Sequence, residues 1–314
     1  MSQSFSASLP FSRYELDRDY LSREKPNLFD ELFADDSTRV LPLLSGSALL
    51  KSATALALVR PAAIPAADLL VYLGRTTTAT ATEPIGTPVV AAVLADAGHL
   101  AEGDWGTLRD LGSVLSDRDA GLFTEALGII NWHDSHRFSP RTGEPTVPAK
   151  GGWVRVDSAG HEVFPRTDAA IIVGITDADD RILLGSNAMW ESNRYSLLAG
   201  FVEPGESFES AVVREVFEES GIRVADPVYQ GSQPWPFPAS IMVGFTARLA
   251  DGQLSGGLVP DGTEILDLRW FSREELSTEE TGIILPGPSS IARALIDDWL
   301  ALAPATGPQV PTGV

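Results

Sequence analysis

The chain has 314 residues, of which 44% are hydrophobic and 21% charged, and 43 acidic against 23 basic side chains give a formal charge of −20. That length suits about two domains and that composition suits a packed core, which excludes a globally disordered chain. The most apolar stretch, residues 47–74, is cut by Lys51, Arg60, Pro61 and Pro65, so no membrane span is expected. Such a charge repels phosphate backbones at long range, so DNA is not an expected partner, and any work on phosphates calls for a divalent cation. The absence of cysteine excludes disulfides and thiolate metal sites. No basic stretch followed by an apolar core opens the chain, and the expected compartment is the cytoplasm.

Residues 1–128 are rich in Ala, Leu and Asp and read as a smaller α/β domain. The runs at 69–73 and 89–94 are strand-like, and 119–134 has apolar residues at helical spacing. No catalytic motif stands here, so a structural or dimerisation role is expected. Residues 129–166 form a connector, with turn formers from Arg137 onward. Residues 167–302 form the second domain. Strands are expected at 169–175, 181–185, 241–249 and 265–271, a helix at about 207–220 ended by Gly221, and a closing amphipathic helix at 289–302. Residues 303–314 read as a flexible tail.

The informative stretch is residues 200–222. Glu215 and Glu219 are four apart and project from one helix face, with Glu218 beside them. Three such carboxylates repel one another, and a cation would offset that repulsion; a solvated acidic face is the plainer alternative. Hard oxygen ligands at this density suit Mg²⁺ or Mn²⁺. Ala211, Val212, Val216 and Ile222 form the apolar face that docks on a sheet. Arg214 can pair with Glu206, and Gly200 and Gly205 permit a backbone path that side chains would block.

The full spacing is Gly200, five residues, Glu206, seven residues, Arg214-Glu215, an aliphatic, any residue, Glu218-Glu219, any residue, Gly221, an aliphatic. This resembles the Nudix box at every fixed position. The resemblance implies an α+β chain carrying a Nudix fold, a mixed β-sheet sandwiched between helices. It implies hydrolysis of a nucleoside diphosphate linked to another moiety. It further implies that Glu215 and Glu219 are metal ligands, that Glu218 is a ligand or the base, and that the carbonyl of Ala199 is another ligand. Glu206 and Arg214 would be structural, as would Gly200 and Gly221.

Residues 232–240 read Ser-Gln-Pro-Trp-Pro-Phe-Pro-Ala-Ser. Alternating prolines make the loop stiff and hold Trp235 and Phe237 out at low entropic cost, which suits stacking on a planar base. Gln233 and Ser240 can add hydrogen bonds. The alternatives are a polyproline ligand for another protein, or a rigid loop packed on the core.

This array resembles the signature of the NADH pyrophosphatase branch of the Nudix proteins. That implies substrate contacts from Gln233, Pro234, Trp235, Pro236, Phe237, Pro238, Ala239 and Ser240. By the same resemblance Glu264 completes the metal and phosphate site. Phe201 and Phe164 would hold the nicotinamide end, Ala292 would give a backbone contact, and Arg109 would reach the substrate from the first domain. The implied reaction is cleavage of the diphosphate of NADH or NAD⁺ to the mononucleotide and AMP, with two or three Mg²⁺ or Mn²⁺ ions and a homodimer. Removal of an NAD cap from RNA is the alternative within that chemistry, and a non-catalytic NAD or ADP-ribose sensor is the alternative of another class.

Many relatives carry two CxxC pairs that bind zinc between the domains. Their equivalents here read as Ser139, Thr142 and about Val156 and Ala159, so a metal-free ribbon held by packing is expected. His133 and His136 lack further strong ligands nearby, and with His161 and His99 they are expected to be structural.

Overall fold

The computed structural model describes residues 5–278 and 282–302, and the elements given below are those of these residues. The described chain divides into two compact units. One comprises Pro10–Thr167 and Pro234–Ile241; the other comprises the residues up to Leu9, Asp168–Gln233, and those from Met242 onward. The expected flexible tail, 303–314, lies outside the described residues.

The first unit is built on a seven-stranded sheet. Its centre pairs Ala67–Thr76 antiparallel with Pro88–Leu94, which in turn runs parallel to Arg39–Leu44. These strands are near-continuous runs of Val, Leu and Ala because both faces are covered. One cover is the helix Asp117–Ser135, which starts where Ser116 Oγ accepts the Asp119 N–H at 3.2 Å. Its Leu122, Phe123, Ala126 and Ile130 enter the core with Val71, Leu73 and Ala91. The expected boundary at residue 128 falls inside this helix, and the connector belongs to the same compact unit as the N-terminal sheet. The connector carries a small antiparallel ribbon of Val147–Ala149, Val154–Val156 and Glu162–Val163.

The second unit carries a six-stranded sheet in the order Val224–Trp235, Ser240–Leu249, Asp168–Thr176, Ile182–Asn187, Ile265–Phe271, with Leu198–Phe201 pairing on Asp168–Thr176. Two cores flank it. Ala211, Val212 and Val216 of the helix Phe208–Ser220 pack on one side with Ile171, Val173 and Phe245. Ile291, Leu295, Ile296 and Trp299 of the helix Ile291–Ala301 pack on the other with Ile172, Leu184 and Phe271. Each helix begins at a serine cap, Ser207 or Ser290, and the first ends at Gly221, whose φ of 72° is a left-handed position that suits glycine. Sheet between helices is therefore the observed layer order, as the resemblance implied. Among the described residues no helix is long and apolar enough to cross a membrane.

Candidate active site

The acidic site is set by one strand and one helix of the second unit. Leu198–Phe201 pairs in register with residues 170–173, which fixes Ala199 and Gly200 against the helix Phe208–Ser220. The Glu215 carboxylate occupies the space that a Cβ on Gly200 would need, so glycine is required there by close approach. Glu219 is 5% exposed, and the N–H of Ala199 faces its carboxylate. Its Oε2 is buried without any hydrogen-bond partner.

Arg214 organises the remaining acids. Its Nε and Nη2 donate to the two oxygens of Glu206, both at 2.8 Å, and Nη2 also donates to the Phe201 carbonyl at 2.9 Å. Nη1 lies 2.9 Å from Glu215 and 2.9 Å from Glu218. This fork braces the loop after Gly200 against the helix. It also offsets part of the repulsion among the glutamates. Glu206 is held below its ordinary pKa by that pairing.

Glu219 receives no such compensation. Burial, and then the charges of Glu215, Glu264 and Asp261, push its carboxyl up to about 8, against the smaller opposing pull of the Ala199 N–H. Burial likewise raises Glu215, with Arg214 opposing and Glu218 and Glu264 adding to the rise. Asp261 is a residue that the sequence reading missed. Its Oδ1 accepts the N–H groups of Thr263, Glu264 and Ile265 at 2.8, 2.9 and 3.0 Å, which fixes the loop that presents Glu264. The Asp261-Gly-Thr-Glu264 sequence is its only advance signal, as a loop-forming Asx motif. Asn187 Nδ2 lies 3.4 Å from Glu264 Oε1.

A divalent cation suits this set, on the evidence of the partnerless buried oxygen of Glu219 and the surplus of hard carboxylates around it. Among the described residues no three such side chains already stand as a ready-made cage, and Arg214 engages Glu215 and Glu218.

Other expected site residues fall out differently. Gln233 is fully buried and cannot offer its amide to a ligand. Nε2 donates to the Ser289 carbonyl and Oε1 accepts the Ile291 N–H, both at 2.8 Å, tying its strand to the start of the closing helix. The Ala292 N–H is taken by Ser290 Oγ at 3.1 Å. Phe201 in the second unit and Phe164 in the first are 60% and 61% exposed, as free ring faces.

Pro234–Ser240 lies in the first unit, with Arg109. Trp235 and Phe237 are not held out; they pack partly buried on that unit's core, with Phe11 5.7 Å from Trp235 between ring centroids. The Arg109 guanidinium stacks over Phe237 at 3.9 Å, and Asn131 Nδ2 donates to the carbonyls of Pro236 and Pro238 at 3.0 Å each. Asn131 was not singled out from sequence, because a helical Asn carries no motif. Together these groups line a cleft of about 420 Å³ that also includes Pro238, Leu127 and Gly46. Ala239 follows it, and Ser240 starts the next strand.

The ribbon positions give a further correction. The side chains gathered there are Ser139, Thr142, Asp157 and His161, and neither Val156 nor Ala159 contributes one. Asp157 Oδ1 accepts the N–H groups of Ala159 and His161 at 3.0 and 2.9 Å; Oδ2 accepts the Thr142 hydroxyl at 3.2 Å and lies 3.0 Å from His161 Nδ1. Two hydroxyls, one imidazole and a carboxylate whose oxygens are already engaged do not suit zinc. The expectation of packing alone is replaced by a polar knot around the buried Asp157 carboxylate. His133 is also structural, with Nε2 2.7 Å from the Gly152 carbonyl and Nδ1 2.8 Å from Arg155 Nη1.

Comparison with known proteins agrees with this anatomy. Residues 165–288 match the NUDIX domain family. Residues 37–132 match the NADH pyrophosphatase-like rudimentary NUDIX domain, and 134–156 the NADH pyrophosphatase zinc ribbon domain. The chain is 44% identical over 232 residues to a protein of Mycobacterium bovis (strain BCG / Pasteur 1173P2) named NAD-capped RNA hydrolase NudC, covering 70% of each chain. The same figures hold for the protein of that name from Mycobacterium tuberculosis (strain ATCC 25618 / H37Rv). The one from Salmonella schwarzengrund (strain CVM19633) is 40% identical over 203 residues, 63% of this chain and 75% of that one. The chain belongs to the Nudix hydrolases, in the NADH pyrophosphatase branch.

Proposed function

We propose that this chain hydrolyses the diphosphate of NADH or NAD⁺, giving nicotinamide mononucleotide and AMP, with Mg²⁺ or Mn²⁺ bound by Glu215, Glu218, Glu219, Glu264 and the Ala199 carbonyl. The observation that carries this is the buried, partnerless oxygen of Glu219 among three further carboxylates on the box helix and the Asp261 loop. When bound, the cations neutralise the diphosphate and acidify a water molecule. Glu218 or Glu219 would accept the proton of the attacking water, and Glu218 is the most exposed of the three box glutamates considered as ligands. The new bond joins the water oxygen to phosphorus, the bridging P–O bond breaks, and AMP or the mononucleotide leaves. Arg214 keeps the helix and loop in register throughout. The exposed ring of Phe201, the exposed ring of Phe164 and the cleft beside Arg109 and Phe237 are surfaces of the kind that stack on nucleobases.

A second reading, removal of an NAD cap from RNA, breaks the same bond and is favoured by the name that the relatives carry, NAD-capped RNA hydrolase. A side-by-side assay of NADH, NAD⁺, ADP-ribose and NAD-capped RNA with Mg²⁺ and with Mn²⁺ ranks them. AMP release from NADH supports the first reading; release confined to capped RNA replaces it with the second. Binding of NADH without AMP release would make the chain a sensor. A homodimer is part of the proposal, checked by light scattering, and a monomeric mass refutes it.

A further inference from the structure

In a chain of charge −20, four cationic side chains line one cavity of about 470 Å³ in the first unit: Arg39, Lys51, Arg60 and Arg118. Two of them are already spoken for. Arg118 Nη1 lies 2.8 Å from Glu83 and Nη2 2.9 Å from Asp119. Arg39 Nε lies 3.7 Å from Glu83, and its Nη1 donates to the carbonyls of Asp36, Ser37 and Thr38. The acids are equally engaged. Glu83 also accepts the hydroxyls of Thr80 and Thr82 at 2.8 and 3.2 Å, and Asp119 Oδ2 accepts the Leu56 N–H at 2.9 Å. Two arginines and two carboxylates therefore close a balanced, rigid chain, and Glu83, the single carboxylate in the lining, has its charge offset by two guanidinium groups.

Lys51 and Arg60 are then surplus. Both are exposed, and neither side chain has a hydrogen-bond or ion-pair partner among the described residues. They line the cavity together with the apolar segment 55–58, Ala-Leu-Ala-Leu. Two exposed free cations, two ion-paired arginines and an apolar segment together line a concave site with the volume of a small-ligand pocket. We propose that this cavity binds a phosphorylated small molecule of nucleotide size, with Lys51 and Arg60 taking the phosphate and the apolar segment taking the remainder. The proposal goes beyond the hydrolytic reaction and does not depend on it.

The test is calorimetric titration of the full chain with AMP and, separately, with inorganic pyrophosphate. EDTA is present so that no divalent cation carries phosphate to the acidic site. The expected result is one site per chain for AMP, weakened by salt and weakened by at least about tenfold in Lys51→Ala/Arg60→Ala. That variant should keep the parent's melting temperature and its NADH hydrolysis in Mg²⁺. The charge-conserving Lys51→Arg/Arg60→Lys should retain binding. Failure of the parent to bind either probe overturns the proposal, as does equal binding by parent and alanine variant. A 5′-phosphorylated oligonucleotide whose affinity grows with chain length and falls in the same variant would make the cavity a strand contact, which also overturns the small-molecule assignment.

Discussion

Two buried carboxylates in this chain are pushed in opposite directions. Asp157 in the ribbon has a fully buried side chain, and burial alone would raise it; the N–H and imidazole of His161 and the Ser139 side chain outweigh that and hold it well below the ordinary range. Glu219 in the box helix is also buried, but its neighbours are other acids, and it rises to about 8. Burial pushes both carboxyls up, and the count of donors against neighbouring charges decides whether that push is overcome. Asp157 is a finished strut in a segment whose family binds zinc. Glu219 is left short of a partner at the place where the family resemblance puts a metal.

The sharpest way to break this contrast is Glu219→Gln. AMP release should fall by at least about 10²–10³-fold, while the melting temperature in EDTA at pH 7 should not fall, because a carboxyl raised to about 8 is already largely uncharged without a cation and glutamine keeps its shape. A lower melting temperature would make Glu219 a strut like Asp157. Next in size, Asp157→Ala should lower the midpoint of urea denaturation, since it removes the acceptor of two backbone N–H groups and the partner of Thr142 and His161. The folded parent should show no loss of melting temperature on prolonged chelation and no stoichiometric zinc by elemental analysis; bound zinc would refute the strut. Gly200→Ala should cost about 1–3 kcal/mol and lower activity together, because the new methyl competes with the Glu215 carboxylate for one space.

Glu125 sharpens the comparison as an intermediate case. It is buried, its Oε1 lacks a partner, and two arginines partly compensate it, Arg18 at 3.6 Å and Arg23 farther off. Burial raises it to about 7, with both arginines opposing. A raised carboxyl gives stability that is fully present below its unfolded value of 4.5 and is lost as pH climbs through about 7. Between pH 5 and 8 the parent should therefore lose up to about 3 kcal/mol relative to Glu125→Gln, measured by denaturant titration at each pH. Parallel curves for the two proteins would contradict the burial argument.

The box helix and the strand at Ile265–Phe271 were legible in sequence because local periodicity and capping residues determine them. Fixed spacing made Glu206, Arg214 and the acidic face legible as well. What escaped was the consumption of polar groups by tertiary partners. Nothing local tells that Gln233 spends both ends of its amide on the closing helix, or that Phe11 draws Trp235 onto a core. The ribbon shows the same limit. Counting along the chain from the expected zinc positions leads to Val156 and Ala159, whereas the fold turns the neighbouring Asp157 inward, where Thr142 and His161 can reach it.

The Arg214 fork has a consequence for how the acidic site changes occupants. One guanidinium nitrogen already stands in for positive charge beside Glu215 and Glu218, so a cation held by these acids would replace a resident counter-ion instead of entering a naked cluster. Because the two-pronged grip on Glu206 is independent of that nitrogen, the arginine can release the helix glutamates without swinging away. Loading would then be a partner swap on one side of a single planar group, reversible and without repacking of the helix behind it.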